Sequence, residues 1–300
     1  MSLAVFGIFM PVYLDRIGYN GAQVGILTAS GSIVALFSQP LWGVASDRAK
    51  TKNSVLSLLL LFSSLIILLF RLSEEFYFIL LAMVMLAFFQ NPTFPISDAI
   101  TLEYMTPTGW KYGPVRLSGT IGYAVIAVFA GEVAKRNMNA IFIFSFAIGI
   151  LTLLASLRLP KVAGHQAAGK RVSVFKLFKN RELMLLMIFT VSIHGTLSFY
   201  NAFFGIYYTQ MGADNALLGW AIFLSAISEV FFLIWGDRVI RKIGIKPTLF
   251  GAGLIAVIRW LLFGFVENIY LVLALQVLHG FIFIVLSYSM AMYINREVPQ

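Results

Sequence analysis

LIAVIRWLLFGFV, residues 254–266, sets one arginine, Arg259, in the middle of an otherwise uncharged apolar run. Two neighbouring runs do the same with other titratable groups: Ala216 to Ile234 carries Glu229, and Tyr270 to Leu286 carries His279. A charged side chain in hydrocarbon costs from ~2.5 to over 10 kcal/mol unless it faces a partner or a water-filled cavity. The three runs therefore read as consecutive membrane-spanning helices whose polar groups share an interior.

Composition extends this reading to the whole chain. With 60% hydrophobic and 12% charged residues in 300, and a mean hydropathy of +0.88, there are too few polar side chains to cover a soluble globule. Apolar segments near 2–14, 22–45, 54–70, 76–101, 116–134, 138–157, 183–208, 216–236, 247–265 and 269–293 make ten candidate spans, the first of them short. There is no cysteine, and the three histidines are scattered. Neither a disulfide framework nor a metal or other cofactor is expected. No Gly-x-Ser-x-Gly, His-Glu-x-x-His or paired catalytic Asp pattern is present, so the chain is not read as an enzyme.

The net charge of +9 is decided by where it lies. Alternate loops (46–53, 102–116, 158–182, 237–246 and the tail after 293) hold 17 Lys and Arg, whereas the opposite loops hold only Arg16, Arg71, Lys135 and Arg136. By the positive-inside rule the first set is cytoplasmic. The basic excess is thus a topology signal, and the expected partner is the lipid bilayer of the cytoplasmic membrane, not nucleic acid.

Repetition divides the chain. Gly18, Ala22 and Gly25 in GYNGAQVG recur as Gly212, Ala216 and Gly219 in GADNALLG at an offset of 194, and Tyr13 recurs as Tyr207. A second shared feature is a helix-end junction, LWGVASDRAK (41–50) and IWGDRVIRK (234–242), with Gly43, Asp47 and Arg48 in one copy and Gly236, Asp237 and Arg238 in the other. Ordinary loop chemistry explains each copy; a duplicated tight cytoplasmic turn explains both. The expected organisation is an N-terminal half over 1–157, a basic linker over 158–182 and a C-terminal half over 183–300. The amphipathic VFKLFKN (174–180) in that linker reads as a tether lying along the membrane surface.

With these features the chain resembles the major facilitator superfamily, built from two six-helix halves related as parallel repeats. The duplicated Asp-Arg junction is similar to that family's cytoplasmic loop signature. ISDAI (96–100), followed by Arg116 in RLSGTIGYA (116–124), looks like the lactose permease branch, in which a helix-four carboxylate and a helix-five Arg contact the sugar under an aromatic ring. The resemblance implies substrate contacts for Asp98, Arg116 and Tyr123. Glu229, Arg259 and His279 match in kind and order that branch's coupling Glu, Arg and His, with the interval of twenty between Arg and His retained. Phrases such as SDAITLEY, AISEV, IRWLLF and LHGFIF are similar to phenylpropionate permease-like relatives.

The chain also departs from that pattern. Ile282 stands where the branch has a second carboxylate after its His, two helix-seven aspartates are replaced at Ser198 and Asn201, and their Lys partner becomes Gln276. Asn201 is taken as a fourth substrate contact. Relative to twelve helices, the offset of 194 leaves helix one short at its start and helices eleven and twelve absent, so the chain is expected to be truncated at both ends. From the residues alone, His279 is an interhelical hydrogen-bond donor or a coupling group, Arg259 a cation–π strut beside Trp260 or an ion-pairing partner. Asp98 is a helix cap or an inward-facing carboxylate, its pull inward resting on the resemblance and on Pro92 and Pro95.

The expectation is an all-α polytopic transporter, monomeric, moving a sugar, nucleoside or aromatic acid by proton symport and alternating access. The alternative is a non-transporting membrane protein or sensor that keeps the fold.

Overall fold

A computed structural model describes residues 2–108, 112–164 and 181–282; the linker piece 174–180 and the tail after 282 lie outside them. The described secondary structure is helical: α1 (Ser2–Arg16), α2 (Gly21–Arg48), α3 (Lys52–Ile67, extended by a 3-10 turn to Arg71), α4 (Phe76–Gln90), α5 (Thr93–Thr108), α6 (Tyr112–Arg136), α7 (Ala140–Ser156), α8 (Arg181–Gln210), α9 (Asn215–Ile243), α10 (Ile245–Phe265) and α11 (Ile269–Leu275). Among the described residues, six segments are long and apolar enough to cross a membrane, and 140–156, 215–231 and 269–282 are shorter apolar segments. One such segment, Phe76–Met105, comprises two helices. Pro92 has no N–H to continue the ladder from α4, so the chain breaks there. Asn91 Nδ2 uses the gap to donate to the Gly31 carbonyl at 3.0 Å, tying α4 to α2.

Both units expose large apolar side chains, with Leu36 72%, Phe250 73% and Phe265 82% exposed. Hydroxyls lie inside: Ser38, Ser63, Ser64, Ser145, Ser225 and Ser228 are buried. Such a surface in water would be an aggregation hazard; in lipid it is the required solvent face, while small polar residues let helices approach closely.

The repeated sequence folds as a repeated turn. Gly18 and Gly212 have φ of +98° and +99°. Tyr19 N–H donates to Leu14 O at 3.0 Å and Ala213 N–H to Tyr208 O at 3.2 Å, each closing a helix C-terminus through a left-handed glycine. Asn20 and Asp214 then cap the next helix, their Oδ1 atoms accepting from Gln23 N–H at 2.9 Å and Leu217 N–H at 2.8 Å. An added Cβ meets nothing within 4 Å at either glycine, so the backbone alone demands the residue. Gly18→Ala and Gly212→Ala should each cost roughly 1–2 kcal/mol, read as a lower melting temperature in detergent. Unchanged melting in both variants would show that the positive φ carries no strain.

The chain divides into two compact units, Met1–Pro114 with Val133–Lys170, and Val115–Glu132 with Arg171–Gln300. In the first, α2 packs on α4, and α3 on α4 and α7. Asp47 closes α2 and pairs at 3.0 Å with Lys52, which is buried and also bonds Glu103. The start of the linker docks here: Lys52 N–H donates to Val162 O and Val162 N–H to Asn53 Oδ1, both at 2.9 Å. In the second unit the middle of α6 crosses α9 in backbone contact. A Cβ on Gly219 would lie 2.6 Å from Ala127 O, and one on Gly131 2.6 Å from Asn215 O.

The two Asp-Arg junctions differ in their placement. Arg48 ends α2, whereas α9 continues through Gly236, Asp237 and Arg238 to Ile243 and stops at Gly244, with φ of +89°. The helix ends where a left-handed glycine is available, and the second motif precedes it. The Asp237 side chain is outside the described set.

Candidate functional site

Three helices of the second unit bring the titratable residues of the opening stretches together. Arg259 on α10 is fully buried. Its Nη1 lies 3.3 Å from His279 Nδ1 and its Nη2 donates to Gln276 Oε1 at 2.9 Å. His279 Nε2 lies 3.9 Å from Glu229 Oε1 on α9, with both side chains little exposed. Arg259 thus reaches Glu229 through His279, with no direct ion pair between the two among the described residues.

The chemistry fixes the direction of this relay. A guanidinium has donors and no acceptor, so His279 Nδ1 must accept, and its ring proton sits on Nε2, facing Glu229. A second ring proton would set an N–H against the Arg259 donor and break the link.

A break in the last described span positions both residues. α11 stops at Leu275, a turn spans 276–277 and helix resumes over 278–282. Gln276, Val277 and His279 donate their N–H groups to Leu273, Ala274 and Gln276, all three positions back. In such 3-10 geometry side chains at i and i+3 eclipse, which puts Gln276 and His279 on one face, toward Arg259. Gly280 N–H donates to Ser228 Oγ at 2.8 Å.

An aromatic wall covers the cation. The Arg259 guanidinium carbon lies 4.3, 4.9 and 5.0 Å from the ring centres of Tyr200, Trp260 and Phe263. The cation–π strut and the polar partnership therefore coexist. Tyr200 hydroxyl and Ser225 hydroxyl also donate to Gln276 Oε1, at 2.6 and 3.0 Å. Tyr200 and Ser225 were not legible as site residues, and Gln276 was marked only as the neutral replacement of the Lys that the resemblance implies. A hydroxyl or carboxamide in an apolar run carries no charge penalty to flag it, and only the break at 276–277 turns Gln276 inward.

The other expected residues fall as follows. Arg116 and Tyr123 on α6 are half-buried and act electrostatically on, or with, Glu229. Asp98 is half-buried on α5 in the first unit, and Asn201 is exposed on α8. Asp47 and Arg48 belong to the Lys52 turn.

Apolar helices around a buried polar cluster, in two units sharing a repeated turn, define a polytopic membrane protein. The chain belongs to the MFS_1 like family, matched over residues 2–300, and is a multi-pass transporter of the major facilitator type. It is 28% identical over 298 residues to the uncharacterized transporter YwbF of Bacillus subtilis (strain 168), covering 97% of this chain and 74% of that protein. It is 28% identical over 281 residues to the maltose permease of Geobacillus stearothermophilus, covering 92% and 71%. Among solved structures, the nucleoside transporter NupG superposes with a TM-score of 0.79 at 20% identity, covering 99% of this chain and 78% of that one, which establishes a shared fold.

Proposed function

We propose that this protein moves a sugar, nucleoside or aromatic acid across the cytoplasmic membrane by alternating access, driven by proton symport, with Glu229 as the proton site. The Arg259–His279–Glu229 relay carries the reading. Protonating Glu229 removes the negative charge that His279 Nε2 faces at 3.9 Å, and that change at a buried site can bias a two-state equilibrium. Arg116 and Tyr123 stand within electrostatic reach of the same carboxylate, so groups assigned to substrate and the proton site share one neighbourhood. Asp98 and Asn201 rest on the family resemblance alone. The substrate class follows the relatives: those named for what they carry include a maltose permease, a raffinose permease, a nucleoside permease and a probable 3-phenylpropionic acid transporter.

The test is uptake into proteoliposomes of radiolabelled maltose, raffinose, uridine and phenylpropionate, with an inward proton gradient. Accumulation of one solute, abolished by a protonophore, is expected. Accumulation indifferent to the protonophore would overturn symport, and no uptake above protein-free vesicles for any solute would overturn the substrate assignment.

A further inference from the structure

Gln276 holds an unusual position for a neutral side chain. It is fully buried, and its one carboxamide oxygen accepts from Arg259 Nη2 at 2.9 Å, Tyr200 Oη at 2.6 Å and Ser225 Oγ at 3.0 Å, donors from three different helices. The amide nitrogen is committed elsewhere, donating to Val272 O at 3.3 Å. Because Arg259 can only donate, the oxygen must be the end that faces it. Gln276 also stands at the interruption of its span, where backbone geometry directs it and His279 to one side. Arg259 Nε has no hydrogen-bond partner; Gln276 on Nη2 and His279 on Nη1 orient the guanidinium, beside the Tyr200 hydroxyl, which also bonds it.

We propose that Gln276 is the positioning residue of the relay: by anchoring Nη2 it aims Nη1 of Arg259 at His279, and so sets the single His279 tautomer that presents Nε2–H to Glu229. Its neutrality matters as much as its shape. A carboxylate at this point would become a permanent counter-ion for Arg259, and the charge of Glu229 would no longer decide how the guanidinium is held. An apolar side chain of the same length would leave the guanidinium to the Tyr200 hydroxyl and the rings, without the acceptor that fixes Nη2, and the direction of Nη1 would loosen with it.

The tautomer is readable without any substrate. The chain has three histidines, so ¹⁵N-histidine NMR of the protein in lipid nanodiscs, with His279 assigned through His279→Gln, reports its ring nitrogens directly. The wild type should show one Nε2–H tautomer. Gln276→Met should give an exchanging mixture, while Ser225→Ala, which removes a different donor to the same oxygen, and Gln276→Glu, which keeps an acceptor, should retain the single form. A single tautomer in folded Gln276→Met would overturn the proposal. If Gln276→Met does not fold, Gln276→Asn, with the acceptor withdrawn by one methylene, takes its place with the same two outcomes. In transport, a role that rests on the symport reading, Gln276→Glu should keep equilibrium exchange and lose accumulation by more than about tenfold. Wild-type accumulation in Gln276→Glu would overturn the neutrality argument. Loss of symport in the wild type would fail the functional reading and leave the tautomer result to decide Gln276.

Discussion

Glu229→Gln should remove accumulation driven by a pH gradient and spare equilibrium exchange. Exchange needs no net proton movement, so a variant that holds a neutral amide at 229 can still carry solute both ways, while its accumulation ratio falls to about one. The same amide keeps an oxygen for His279 Nε2–H, so the relay should stay assembled. His279→Gln should do less harm: a glutamine offers an acceptor to Arg259 and a donor toward Glu229, replacing both ends of the imidazole without supplying a titrating group. Counterflow and gradient-driven uptake, measured side by side in the same vesicles, check both. Uphill accumulation by Glu229→Gln would remove Glu229 from coupling and leave Asp98 as the next carboxylate to test; uncoupling by His279→Gln alone would return the proton to the imidazole.

Gly280→Ala should be the most damaging single-methyl change in the second unit. A Cβ there would lie 2.2 Å from Ser228 C and 2.4 Å from Glu229 N, and these are backbone atoms that no rotamer change can move aside. Overpacking of a tight contact costs about 1–3 kcal/mol and sometimes more, and here the displaced backbone carries Glu229 itself. Expected results are poor yield of folded protein, a lowered melting temperature and loss of gradient-driven uptake. Gly195→Ala is the control, because a Cβ at Gly195 on α8 meets nothing within 4 Å. Equal behaviour of the two variants would show that α9 and the helix after 277 have room to separate.

The membrane class and the helical fold were legible because hydrocarbon imposes a one-dimensional rule: long apolar runs must be helices, and each charged residue inside one needs a partner. That rule picked out Glu229, Arg259 and His279 from three separate runs, and the structure sets them in one chain of contacts. Repetition was equally local. The glycines at an offset of 194 mark left-handed backbone, a property of single residues, and the turns at Gly18 and Gly212 repeat in their backbone hydrogen bonds.

By itself, then, the sequence determined that this is a helical bilayer protein and which buried charges must find company, since each of these follows from the local cost of polarity in lipid. Only the tertiary structure decided who keeps that company. His279 stands between Arg259 and Glu229 because a span breaks into a 3-10 turn at Gln276; Gln276 becomes the shared acceptor because Tyr200, Ser225 and Arg259 converge on it from three helices. Hydropathy cannot see such choices, because the direction of a neutral side chain costs nothing until the surrounding helices supply its donors.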